Sequence, residues 1–547
     1  MSFKHVPTIL FAASSMAFAG GVGEPAPGFR MYSPTGDTNT YLIDADGEFV
    51  HTWTSNLGPT AACYLEPNGV LTRTVNHGTG PPLGGEGGGI QRQSFDGTIT
   101  WDYLYDGPEG VLHHDIALLP NGNVLAIAWE ISTTAEAIAE GRDPALVAGT
   151  DWYPDEIIEL EQTGPDTADI VWRWRMMDHV VQDFDVTKPN FGDPADHPEL
   201  LDLNYPPTVV TNGDWNHCNA IDYLPSLDLI LISSPFQNEF WVIDHSTTTA
   251  EAAGHTGGTF GKGGDFLYRW GNPLAYGAGI EDDQQLFFQH STHWIPEGLP
   301  GAGNILIFNN RAGTPDGLDH SSVVELELPP NFSLDPGAAY GPEAPLWVYS
   351  TPDPEDFYSN IVSSARRLPN GNTLVCAGNQ SGWIFEVTSA GDVVWEHFNQ
   401  TPTPTSIVFM ASYWERTLWA DRDFISTSAG GLTRLDMVAG SKHAGDFYLV
   451  IGSFAGTTPG FDINGVNLPL NPDPYFILTL TEVNDGPFQD TFGVLDSLGN
   501  GQAGLNLPPG AANPFVGANM YHAYLVGNSA TQAIEMASNA VALELRP

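Results

Sequence analysis

Leu119-Pro-Asn-Gly-Asn-Val-Leu125 and Leu368-Pro-Asn-Gly-Asn-Thr-Leu374 are almost the same heptapeptide at two distant places in one chain. Proline presets one backbone angle and glycine accepts positive φ, so Pro-Asn-Gly makes a tight turn from which the apolar residues continue as a strand. Looser copies are Glu66-Pro-Asn-Gly-Val-Leu71, Leu224-Pro-Ser-Leu-Asp-Leu-Ile-Leu231 and Leu299-Pro-Gly-Ala-Gly-Asn-Ile-Leu306. A second pattern alternates with the first: a turn leading into a strand that carries tryptophan near its end. It recurs at Ile43 to Trp53, Phe95 to Trp101, Ile158 to Trp172, Ile243 to Trp270, Val324 to Trp347 and Phe385 to Trp395. Repeats of this kind mark an architecture built from one supersecondary unit. Six tryptophan hairpins predict a six-bladed β-propeller, and the segment Ile407 to Leu418 is expected to supply the strand that closes the ring on Phe29 to Leu42 and removes the exposed sheet edge.

Composition agrees with an all-β chain. Among 547 residues there are 60 glycines and 43 prolines, with 41% hydrophobic and 11% aromatic content, which suits many short strands joined by tight turns and excludes a disordered chain. The 66 acidic against 18 basic side chains give a net charge of −48. Such a surface repels nucleic acid and anionic lipid, so neither is an expected partner. Cys63, Cys218 and Cys376 are too few and odd in number for a disulfide framework, and each lies on or beside an apolar strand, so buried free thiols are expected.

Lys4 and His5, the apolar run to Phe18 and the small-residue site Ala17-Phe18-Ala19 read as a secretory signal cut after Ala19. The expected organisation is therefore a signal peptide over 1–19, a propeller over 20–424 and a β-sandwich-like domain over 425–547, in a protein secreted to the periplasm or the extracellular space. No segment of the remaining sequence approaches the ~20 apolar residues of a membrane span. In the last part tryptophan hairpins stop, and Phe447 to Ser453, Tyr475 to Leu480 and Ala523 to Val526 read as sandwich strands.

Polar residues just ahead of the inner-strand turns are the ones that can converge from different blades on a propeller axis. Histidines occupy that place: His113 and His114 before Pro120, His217 before Pro225, His290 and His293 before Pro296. Arg311, in Phe308-Asn-Asn-Arg311, is one of few cations. Beside histidines it makes a local anion site; the alternative is an arginine paired with Asp316 or Asp319. The stretch Gly78 to Gly89 lacks the Lys-Ser/Thr ending of a phosphate loop, so no nucleotide site is read there. No cofactor and no metal are expected, because His113-His114-Asp115 has no HxxH or His-x-His pair nearby.

His113 to Leu125, Asp214-Trp-Asn-His-Cys-Asn-Ala-Ile-Asp222, Gln289-His-Ser-Thr-His-Trp-Ile295 with Phe308-Asn-Asn-Arg311, and Arg367 to Leu374 running to Val387 together resemble the arylsulfotransferase family over roughly residues 40 to 415. The resemblance implies an exported propeller enzyme that moves a sulfuryl group from a phenolic sulfate ester to another phenol through a sulfated histidine, without a nucleotide donor. By motif position it makes His217 and His290 sulfate-binding histidines and Arg311 the sulfate-binding arginine. The family's nucleophilic histidine has no counterpart on the blade after Arg311, where the chain reads Thr373-Leu-Val-Cys-Ala-Gly-Asn379 with no histidine before His397. Either His293 or His114 takes that role, or the protein is a non-catalytic secreted propeller that binds glycans or other ligands, or acts at a surface. A quinone-dependent dehydrogenase is disfavoured, since its repeating tryptophan-docking signature is absent. Donor, acceptor and oligomeric state are left open.

Overall fold

The computed structural model describes residues 23–401 and 407–547, apart from 315–316, 330, 333 and 335–336. The expected signal segment lies outside the described residues. Strands dominate; three α-helices occur among the described residues, Thr134–Ala139, Thr249–Ala252 and Pro474–Thr481. None of them is long and apolar enough to cross a membrane.

Six four-stranded antiparallel sheets follow one another along the chain. Their innermost strands are Val408–Trp414, Gly58–Leu65, Gly110–Leu118, Ala220–Leu224, His290–Trp294 and Ser364–Arg367. We number the sheets one to six in that order. Sheet one is assembled from both ends of this region: Val408–Trp414 pairs antiparallel with Phe29–Pro34, as in Met31 opposite Ser412. Each innermost strand packs against the next, and sheet six packs against sheet one. The result is an all-β, propeller-like body in which the innermost strands close on one another. Each outermost strand carries tryptophan: Trp53, Trp101, Trp172 and Trp174, Trp270, Trp347 and Trp395.

The Pro-Asn-Gly turns sit between the first and second strands of a sheet, as expected. In sheet three the N–H of Gly122 donates to the carbonyl of Leu119 at 2.9 Å, with Gly122 at φ 90°. Apolar clusters fill the spaces between neighbouring sheets. Ile127, Trp174, Ile232 and Trp241 join sheets three and four, and Phe308, Val323, Val375 and Phe385 join five and six. Buried polar links add direction. The Asp115 carboxylate accepts from the Tyr64 hydroxyl at 2.8 Å and from the Ile221 N–H at 3.2 Å, stitching sheets two, three and four at the axis. Burial pushes the Asp115 carboxyl up to about 6. Where the ring closes, the Arg30 guanidinium meets the Glu386 carboxylate at 2.8 Å with both side chains fully buried, and lies over the Trp395 ring. Cys63, Cys218 and Cys376 are all free and buried.

Beyond the ring, two more sheets share one apolar core that includes Leu435, Met437, Leu505, Val450, Tyr524 and Leu543. Strand Leu418–Ala420 already pairs with Gly431–Val438, so this group of sheets takes up the chain ahead of residue 425. Phe447–Ser453 is a strand, and Ala523 to Val526 lies within the strand Asn519–Gly527. The reading of Tyr475 to Leu480 as a strand is corrected: Pro474–Thr481 is a helix. The Asp473 side chain caps it by accepting from the Phe476 N–H at 2.7 Å, and Pro474 occupies the first turn where its missing N–H costs nothing. Local capping outweighs the apolar run that suggested a strand. Trp419 anchors this region to the ring, stacking on Phe95 at 4.8 Å.

Candidate functional site

Irregular backbone at the start of the inner strands aims the histidines. Pairing of Gly110–Leu118 with its neighbour shifts register between Leu112 and Ile116, and that of His290–Trp294 shifts between His290 and His293. Such bulges re-aim side chains. His114 (φ 50°), His217 (φ 53°) and Phe288 (φ 58°) occupy the left-handed region. Non-glycine residues pay about 1–3 kcal/mol there and persist only when the surroundings hold them.

The surroundings are specific. His114 N–H donates to the Gly85 carbonyl at 2.8 Å. A Cβ on Gly85 would collide with the His114 ring, and one on Gly84 would touch His217. The glycine-rich stretch of sheet two is therefore the floor on which two histidines rest, a role its sequence did not reveal.

His113, His114, His217 and His290 form a connected group. The rings of His114 and His217 meet edge-on with centroids 4.6 Å apart. Phe409, from the strand that closes sheet one, lies 6.0 Å from both His114 and His290. His217 stacks on Phe236, Phe236 touches Phe288, and the Arg311 guanidinium lies 3.7 Å over the Phe288 ring. Arg311 also donates from Nε to the Asn360 carbonyl at 3.2 Å. Among the described residues no carboxylate, Asp319 included, comes within ion-pair distance of it; Asp316 lies outside the described residues.

Each imidazole has a defined partner on one side. His113 Nε2 sits 2.8 Å from Asp155 Oδ1, off the straight line of a hydrogen bond, with its ring flat on Trp129. His113 Nδ1 faces His114 Nδ1 at 2.8 Å. His217 Nδ1 is 2.5 Å from Asp214 Oδ2. His290 Nδ1 is 2.8 Å from Asn310 Oδ1. The Asn310 amide nitrogen donates to the carbonyls of Ser359 and Val362, which fixes its oxygen toward His290.

These settings pull the titrations apart. Burial, then the imidazoles of His217, His113 and His290, holds His114 well below the usual histidine range. Burial pushes His290 down to about 3 against the opposing bond to Asn310. Burial would also lower His217, but the Asp214 carboxylate overcomes it and the net shift is upward. Imidazoles shifted in opposite directions thus touch one another, a division that suits separate acid and nucleophile roles.

A cavity of about 900 Å3 opens beside this group, and Asp214, Phe236, Phe288 and Arg311 form part of its wall. A smaller one of about 180 Å3 lies on the other side of Arg311 and includes His320 and Asn360. Aromatic faces with one guanidinium match an aryl group carrying an anion.

The structure brings His114, His217, His290 and Arg311 together and does not bring His293 to them. His293 Nδ1 faces the Ser291 carbonyl at 2.9 Å, and its charge neighbours are Arg366 and Arg367 on sheet six. His397 sits on the outermost strand of sheet six against the Tyr32 hydroxyl. Sequence reasoning missed Asp155 and Phe409, which are far from the motif histidines in the chain, and Phe288, which directly precedes the quoted Gln289-His290 motif; Asp214 and Asn310 lay inside the quoted motifs unrecognised.

A family model described as Arylsulfotransferase (ASST) matches residues 28–401. No curated protein matches the chain. Similar solved structures include a protein of unknown function from Bacteroides caccae, 12% identical, covering 71% of this chain and 98% of that one at a TM-score of 0.40. A chain from a nidogen/laminin complex is 8% identical, with 70% and 97% covered and a TM-score of 0.34. The Dos1 propeller is 9% identical, with 75% and 83% covered and a TM-score of 0.28. Likeness at that level carries no argument about activity.

Proposed function

Because this chain belongs to the arylsulfotransferase family, we propose that it transfers a sulfuryl group from an aryl sulfate to a phenol, with His114 as the nucleophile. The observation that carries this reading is the series Asp155, His113, His114. A lone pair on His113 Nε2 would be repelled by the carboxylate oxygen 2.8 Å away, so Nε2 holds the hydrogen and His113 Nδ1 is free to accept from His114 Nδ1–H. His114 Nε2 is then left with its lone pair.

In the first half-reaction that lone pair attacks sulfur, the S–O bond to the aryl group breaks, and the aryl oxide leaves with the bonding pair. His217, held toward its protonated form by Asp214, supplies the proton to the leaving oxygen. Positive charge on the sulfated imidazole is relieved as its Nδ1 hydrogen moves toward His113 and Asp155. His290 lacks such an outlet, since its Nδ1 hydrogen faces only amide and carbonyl oxygens. Arg311 and His290 bind the sulfate oxygens, His290 donating once a bound anion draws a proton onto it. In the second half-reaction the acceptor phenol attacks sulfur, its proton returns to His217, the S–N bond breaks, and the lone pair returns to His114.

The closed order of six sheets supports a six-bladed propeller over residues 20–424, and the two later sheets a β-sandwich-like accessory domain. The signal-like N-terminus supports export to the periplasm or beyond. The test uses purified protein, a chromogenic phenyl sulfate and an acceptor phenol. Coloured phenol released only when acceptor is present supports the reading; silence across several donors, unchanged by His290→Ala, counts against it and favours a binding protein.

A further inference from the structure

Away from the axis, the connection after sheet three meets the glycine-rich excursion that precedes the last strand of sheet four. His179 ends the short turn Met176–His179 and is fully buried, its ring parallel to the Trp174 indole with centroids 5.3 Å apart. His179 Nε2 lies 2.7 Å from the Ala252 carbonyl oxygen. A carbonyl can only accept, so Nε2 carries the hydrogen. In the neutral ring Nδ1 then presents a lone pair, and it faces Asp265 Oδ1 at 2.8 Å.

His255 Nδ1, from the excursion, reaches the same Asp265 oxygen at 2.8 Å. The ligand atoms of His179, His255 and Asp265 all lie within 4.8 Å of one another. A lone pair and a carboxylate oxygen at that distance repel unless something positive sits between them. An N–H to backbone carbonyl bond on the far ring nitrogen is also what orients a metal-bound imidazole. The chain is shaped around this ring: a Cβ on Gly264 would come 2.6 Å from His179 Nε2. Asp178 adds negative charge next to both imidazoles.

We propose that His179 Nδ1, His255 Nδ1 and Asp265 Oδ1 hold a divalent transition-metal ion of the zinc class. Two imidazoles with one carboxylate suit zinc over calcium or magnesium, which take mostly oxygen. The His255 side chain is 60% exposed, so water completes the coordination sphere. The ion fastens the excursion spanning 249–265 to sheet three.

The test strips full-length protein with a chelator, returns zinc chloride or magnesium chloride, and reads bound metal and the thermal midpoint. Wild type is expected to retain a zinc equivalent and gain about 2–4 °C with zinc alone. His255→Ala, altered at a mostly exposed side chain, is expected to match chelated wild type in midpoint, to hold one zinc fewer and to lose the shift; Asp265→Asn loses both as well. Counting by difference keeps zinc held at the separate group His443, Asp446 and Glu535 out of the result. Wild type without zinc, or variants holding as much as wild type, overturns the proposal and leaves His179 as a protonated partner of Asp265.

Discussion

His113 Nδ1 lies 2.8 Å from His114 Nδ1, and only one of the two facing nitrogens can carry the hydrogen between them. Asp155 beyond His113 decides which. Asp155→Asn removes that bias and lets His114 Nε2 carry a hydrogen in place of its lone pair. The expected result is a fall in kcat of about 10²–10⁴ with little change in KM, by analogy with the loss that follows when a catalytic imidazole takes the wrong tautomer. Steady-state kinetics with a chromogenic aryl sulfate checks it.

Arg311→Ala removes the guanidinium that borders both cavities. A loss of about 10²–10³ in kcat/KM is expected. Arg311→Lys should recover little, because a point charge replaces a planar fork already seated over Phe288.

Gly85→Ala tests the floor beneath the site. Gly85 has φ 69°, and a Cβ there would overlap the His114 ring. Displacing that ring by about 1 Å is expected to cost about 10²-fold in kcat, while circular dichroism and the thermal midpoint show a folded protein.

The pH profile follows from opposite shifts. His114 stays neutral well below the ordinary histidine range, so kcat/KM should not drop on the acid side as pH passes about 6.5. His217 is raised, so its acid function is lost only as pH climbs through that higher value. Asp214→Asn should move this alkaline limb to lower pH. The raised value also stabilises the fold below about pH 6.5, and that contribution fades as pH rises through the folded-state value.

Ring closure predicts a stability effect remote from the pocket. Glu386→Ala leaves the buried Arg30 guanidinium without its carboxylate, and an uncompensated buried charge costs about 3–5 kcal/mol. Urea unfolding followed by tryptophan fluorescence measures it.

The repeats made the ring legible before any coordinates. Pro-Asn-Gly turns and tryptophan hairpins are local signals, and Val408–Trp414 returning to Phe29–Pro34 follows from the need to pair both ends. Histidines in equivalent repeat positions made His114, His217 and His290 legible too. His293 was indistinguishable from them because a bulge, which redirects His290 away from it, leaves no mark in composition. Asp155, Phe409 and the pairing of His179 with His255 depend on contacts between segments distant in the chain, and a single sequence carries no record of those. Pro474–Thr481 was misread because an apolar run alone does not separate helix from strand.

The most direct measurement is to incubate the protein with donor and no acceptor, quench at alkaline pH, digest, and locate any added SO3 by mass spectrometry. The account predicts one sulfuryl group on the peptide containing His114, discharged when a phenol is added and absent in His114→Gln. Sulfation of His290 or another residue, or none during active turnover, contradicts it.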